Sequence, residues 1–174
     1  MSPRRKASPV DQEIKVRGMF RVHLTQDIDG ETVVVGDSGW NKNLVTNLGF
    51  DQFLCQTLAG MGGSKTVAYM ALGTGGAPVA TDTSLASELT DTSNSRKTVS
   101  PSTIASKTVQ FTAAFNSSDS FITNAGGRSI SNVGLFNVST TSAGTLFAGN
   151  TYASSLCATN NNVNVSYQIR FATA

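Results

Sequence analysis

His23 is the one imidazole in the chain, so any Ser-His-Asp relay would have to run through it. Asp27 and Asp29 lie close by, but they fall in a turn, where aspartate is favoured for its hydrogen bonds to nearby backbone. No Gly-x-Ser-x-Gly elbow presents a serine. His23 alternates outward on an edge-like strand and reads as a solvent-facing or cross-strand residue. Asp27-Ile-Asp29-Gly30 has the start of a calcium loop, yet its glycine comes two positions early and no glutamate closes it. A weak cation site between Asp27, Asp29 and Glu31 is the most it offers. Zinc needs four ligands at paired spacings, and Cys55, Cys157 and His23 supply none. Gly73-Thr-Gly-Gly76 lacks the Lys-Ser/Thr that a phosphate-binding loop needs, because Ala77-Pro78 follows, so it reads as structural.

General acid–base work needs two carboxylates facing each other in a pocket. Asp82, Glu88 and Asp91 sit around one short turn and read as caps and surface acids. Cys55 and Cys157 read as small buried hydrophobes, with one bridge between them left open. Phe20 beside Arg21, and Phe171 beside Arg170, follow strand alternation, with the ring inward and the guanidinium outward. The sequons at Asn116, Asn137 and Asn164 read as products of Asn and Ser richness. The residues thus point to no catalytic residue, no cofactor and no metal.

Charge is scarce and unevenly placed. Charged residues make up 14% of the chain, against about 25% in ordinary globular proteins. Ser, Thr and Asn account for 37 of the 84 residues from Asp91 onward. That composition excludes a charged helical bundle or coiled coil. It favours short strands joined by polar turns. Residues 1–21 hold six basic and two acidic side chains, so a basic arm precedes a nearly neutral body. Three clustered cations at Arg4-Arg5-Lys6 suit a solvated tail as well as an acidic partner. No apolar run approaches the roughly 18 residues of a membrane span, and no signal-like core opens the chain. The expectation is a soluble protein made in a cytoplasm, with no membrane partner and no nucleic-acid partner.

The elements follow from periodicity. Residues 1–18 read as an extended arm, and 19–174 as one domain. Phe20, Val22 and Leu24 alternate with polar residues, Asp29-Gly30 makes a tight turn, and Glu31–Val35 returns. A helix over about 47–59 is capped by Asn47, presents Phe50, Phe53, Leu54 and Leu58 on one face, and stops at Gly60. Lys65–Gly73 reads as an apolar strand. Asp82 caps a turn carrying Leu85 and Leu89. Strands follow over 109–115, 129–138, 145–151 and 163–172. The fold class is mainly β: an antiparallel, jelly-roll-like β-sandwich with one short-to-medium helix and an extended N-terminal arm.

Three stretches carry a resemblance. They are Gly39-Trp-Asn-Lys-Asn-Leu-Val-Thr-Asn-Leu-Gly49, then Tyr69-Met-Ala-Leu-Gly-Thr-Gly-Gly-Ala-Pro-Val-Ala-Thr-Asp-Thr-Ser-Leu-Ala-Ser-Glu-Leu89. The third runs from Ile130-Ser-Asn-Val-Gly-Leu-Phe-Asn137 through Gly144-Thr-Leu-Phe-Ala148 to Val165-Ser-Tyr-Gln-Ile-Arg-Phe171. In order and spacing they resemble small virion proteins of tailed bacteriophages, which include head decoration (cement) proteins and tail-associated subunits. The resemblance implies a virion structural protein with no enzymatic activity. It also implies a homotrimer that bridges major capsid proteins or other virion proteins. Arg4, Arg5, Lys6, Lys15 and Arg17 are then the expected docking residues against an acidic capsid surface. The alternatives are a tail, baseplate or head-fibre subunit for host recognition, and a carbohydrate-binding module with Trp40 and Tyr152 as glycan contacts.

Overall fold

A computed structural model describes residues 13–90, 95–119, 127–141 and 143–173. In chain order the strands are β1 (Ile14–Ile28), β2 (Glu31–Asp37), β3 (Asn41–Lys42), β4 (Leu44–Val45), β5 (Tyr69–Gly73) and β6 (Lys97–Thr98). There follow β7 (Ser100–Ala105), β8 (Thr108–Phe115), β9 (Arg128–Phe136), β10 (Leu146–Cys157) and β11 (Asn162–Thr173). They form two antiparallel sheets. One has the order β2-β1-β11-β8-β7, with β3 also on β1. The other has the order β4-β10-β9-β5-β6. The chain is a β-sandwich with one short helix, as the alternation implies.

The first hairpin is set by local chemistry. Phe20, Val22 and Leu24 are buried, so one face of β1 is apolar. Asp29 and Gly30 both take positive φ, as a two-residue hairpin turn requires. The core lies between the sheets, where these side chains meet Met70, Leu72, Phe115, Val133, Leu135, Val165 and Tyr167. Strand β9 is buried on both faces. Its outer face, at Phe136, packs with Ala71, Leu85 and Leu146. The 74–90 loop covers that face. Asn132 holds the loop by donating to the Gly76 and Ala86 carbonyls, at 3.2 and 2.9 Å. Gly75 lies so close to Ala86 that a Cβ there would stand 2.4 Å from its carbonyl oxygen. Gly75 is therefore set by packing, while Gly76 has open space around it.

The arm ends earlier than residue 18. Ile14–Gly18 pair with Thr173–Ile169 on β11, so Lys15 and Arg17 belong to the sheet. Strand β1 is interior, flanked by β2 and β11, and His23 is not on an edge. The fully apolar middle of 65–73 forms strand only from Tyr69. Asp82 accepts from the Val79 amide at 2.8 Å, so it closes the turn before it and does not cap the one after.

The helical run covers 47–58, but its pitch differs from the expected one. Gly49–Cys55 is a π-helix, in which the Gln56 amide donates to the Asp51 carbonyl five residues back. The wider turn breaks the 3.6-residue face. Phe53 is buried on the Phe147 ring, while Phe50 is exposed and Leu58 is 91% exposed. The cap is Thr46, one residue before Asn47. Its hydroxyl accepts from the Gly49 amide at 2.9 Å and donates to the Leu146 carbonyl at 2.7 Å, fully buried. Thr46→Val strands both groups and is expected to lower stability by about 1–3 kcal/mol, read from urea denaturation.

Candidate docking surface

The outer face of the six-stranded sheet brings two of the expected docking residues together with one that sequence reasoning missed. Val16, Gly18 and Phe20 turn inward, so Lys15 and Arg17 turn outward. Arg17 lies directly opposite Arg170 of β11. Both are exposed, and neither makes an ion pair among the described residues. Like charges facing each other across strands oppose folding and favour an anionic partner that bridges them. The two arginines line a shallow cavity of about 270 Å³ with Met19, Thr108 and Gln168. Lys107 follows alongside, because its carbonyl accepts from the Phe171 amide at 2.9 Å. Lys42 of β3 lies opposite Met19. Lys15 reaches Glu13 only at 3.9 Å, on an open surface where such a pair is weak. Arg4, Arg5 and Lys6 lie outside the described residues.

Farther along the same face the charges are matched. Arg21 forks onto Asp37 through two hydrogen bonds. His23 stands 3.5 Å from the same carboxylate, which gives it the cross-strand role that its alternation implies. The Arg21 fork and the Gly39 amide hold the Asp37 carboxyl well below the usual carboxylate range. The basic character thus gathers at the Arg17 end.

The remaining candidates do not converge on a site. Asp27 accepts from the Thr32 hydroxyl at 2.7 Å, and no group of three potential metal ligands occurs among the described residues. Glu88, read as a surface acid, is a correction. Its side chain is only 7% exposed and is ion-paired to Arg96 at 2.6 Å. Asp91 lies outside the described residues. Trp40 is 42% exposed, but Tyr152 is only 7% exposed and packs edge-on against Phe20. Tyr152 is therefore a core ring, not an exposed glycan contact. No described helix is long and apolar enough to cross a membrane.

Both cysteines are free, which corrects the reading of two buried thiols: Cys157 is buried and Cys55 is exposed. Burial pushes the Cys157 thiol up to about 11, so it stays protonated at neutral pH. A disulfide-exchange reagent is expected to titrate one thiol in the native protein and two after denaturation. Two fast thiols in the native state would contradict the burial of Cys157.

Comparison of the chain with protein-family models, with curated proteins and with solved structures finds no match.

Proposed function

We propose that this chain is a structural subunit of a tailed-phage particle, a decoration protein that binds the assembled head and bridges capsid subunits. The sequence resemblance motivates the reading, and the facing pair Arg17–Arg170 carries it. Two guanidinium forks without a carboxylate partner among the described residues present a ready site for the acidic side chains of a capsid surface. Binding only the assembled shell stabilises it by RT ln(1 + [L]/Kd), about 2.7 kcal/mol at 100 times Kd. The attachment is electrostatic and weakens with salt.

Undecorated heads mixed with the purified protein test the reading. Arg17→Glu combined with Arg170→Glu is expected to cut occupancy at least tenfold at low salt. Deleting residues 1–13 tests the basic arm in the same assay. Unchanged occupancy in both variants overturns the docking assignment. A second reading, a host-recognition subunit of the tail or of a head fibre, draws on the exposed indole of Trp40. Loss of glycan-array binding on Trp40→Ala would favour it, as would a dozen copies or fewer per particle.

A further inference from the structure

We propose that the open edge at the start of β1 takes up an extended acidic segment of a partner protein as an added strand. Strand β1 pairs with β11 over residues 14–25. On its other side β3 reaches only Met19 and Phe20, and β2 only residues 23–28. The Asn43 amide donates to the Gly18 carbonyl at 3.1 Å, and the chain then leaves this row for the other sheet as β4. In an antiparallel ladder successive residues turn their N–H and C=O groups to opposite sides. Gly18 faces the β3 side, so Val16 and Ile14 do as well. Nothing among the described residues pairs with their main-chain groups on that side. Such an edge is a template for another chain.

A cavity of about 510 Å³ runs beside this edge, lined by Val16, Arg17, Gly18, Met19, Lys42 and Asn43. Gly18 makes room there, because a Cβ would collide with the side-chain amide of Asn43. The nitrogen and the oxygen of that amide are both buried, and neither has a hydrogen-bond partner among the described residues. Buried polar atoms are normally paired. One donor and one acceptor at the end of the row match what a main chain laid along it needs. Ile14 shares the inward side with Val16 and Phe20, yet it is 75% exposed. An incoming strand therefore meets apolar side chains on its inner face.

Charge selects the occupant. Lys15 and Arg17 point outward along the edge, and Lys42 stands beside them, opposite Met19. Among the described residues their one ion pair is the 3.9 Å contact of Lys15 with Glu13. Outward side chains of an added strand lie across from Lys15 and Arg17, where opposite charges stabilise and like charges oppose. Cations on an edge thus repel a basic strand and admit an acidic one. The segment that fits alternates acidic residues outward with apolar residues inward. The arm over residues 1–12, from this chain or a second copy, would bring Arg4, Arg5 and Lys6 to the same cations. The inference rests on the docking face proposed above, since Arg17 belongs to both, and it adds main-chain pairing to the charge contacts.

The experiment uses the purified full chain and a synthetic peptide, acetyl-Thr-Val-Glu-Val-Glu-Val-Thr, with a control in which lysine replaces glutamate. Calorimetry is expected to show saturable binding of the acidic peptide and none of the basic one. Hydrogen exchange is expected to slow at the Ile14 and Val16 amides. Val16→Pro removes an outward donor and leaves the β11 pairing through Lys15 and Arg17 in place. It is expected to weaken binding about tenfold with an unchanged circular dichroism spectrum. A second measurement leaves the protein untouched. Of two peptides N-methylated at the valines or at the glutamates, only one is expected to bind, because a strand turns alternate N–H groups toward β1. No binding, equal binding of both methylated peptides, or binding only after removal of residues 1–12 would each overturn the proposal. Loss on Arg17→Glu with no effect of Val16→Pro or of methylation removes the added strand and leaves the docking face standing. Peptide binding that follows this pattern while Arg17→Glu with Arg170→Glu leaves head occupancy unchanged removes the head reading alone.

Discussion

Arg96→Ala is expected to lower the unfolding free energy by about 3–5 kcal/mol, the usual loss when one partner of a buried ion pair is removed. The Arg96 side chain is 1% exposed and that of Glu88 7%. Arg96 donates to both Glu88 oxygens, at 2.6 and 2.9 Å, and to the carbonyls of Val138 and Ala143, at 3.1 and 2.9 Å. Its guanidinium also stands 3.6 Å from the centroid of the Phe136 ring. One side chain therefore ties the 74–90 loop, the end of β9 and the 138–143 turn together. Alanine leaves a carboxylate and two carbonyls without their donor. Arg96→Lys keeps the charge but not the fork, and should fall between. Arg96→Met with Glu88→Leu removes both charges and is expected to recover most of the loss. Urea denaturation checks the series. A cost below about 1 kcal/mol for Arg96→Ala would mean that water reaches the pair.

Phe20→Ala is the second large effect, also about 3–5 kcal/mol. The ring has no exposed surface. It stacks on Tyr167 with centroids 5.8 Å apart and meets the edge of Tyr152 at 6.1 Å. It thus links the two sheets, since Tyr152 belongs to β10 and the other two rings to β1 and β11. Truncation opens a cavity that rigid strands on both sides cannot collapse into, and the lost volume adds to the lost transfer energy. Phe20→Leu keeps most of the volume and should cost less than about 1.5 kcal/mol. Equal losses for leucine and alanine would place the effect in the aromatic contacts and not in the cavity.

What the sequence made legible was local. The alternation of Phe20, Val22 and Leu24 fixes a strand face, and Asp29-Gly30 fixes its turn, because both signals lie within a few residues. The helix was legible in position but not in pitch. Its π-turns accompany a tertiary contact: a Cβ on Gly49 would meet the Phe147 carbonyl at 2.2 Å. The burial of Glu88 depends on Arg96 and Phe136 reaching it from a loop and another strand, which no periodicity announces. Trp40 and Tyr152 looked alike as aromatics, and only packing against Phe20 separates them. Half of the docking surface was readable as basic residues near the N-terminus. The other half, Arg170, enters through the register of β1 on β11.

That register also orders events in time. Strand β11 comes after the ten others in the chain, yet it lies between β1 and β8 and pairs with both. Its Asn164 amide donates to the Thr25 hydroxyl 139 positions earlier. Until β11 has been made, the larger sheet exists only as separate hairpins with open flanks. Such distant seams close slowly, and the waiting edges are prone to aggregate. Nascent chains lacking β11 are thus the natural clients of a chaperone, and a nonsense mutation just before Asn162 should empty the soluble fraction altogether.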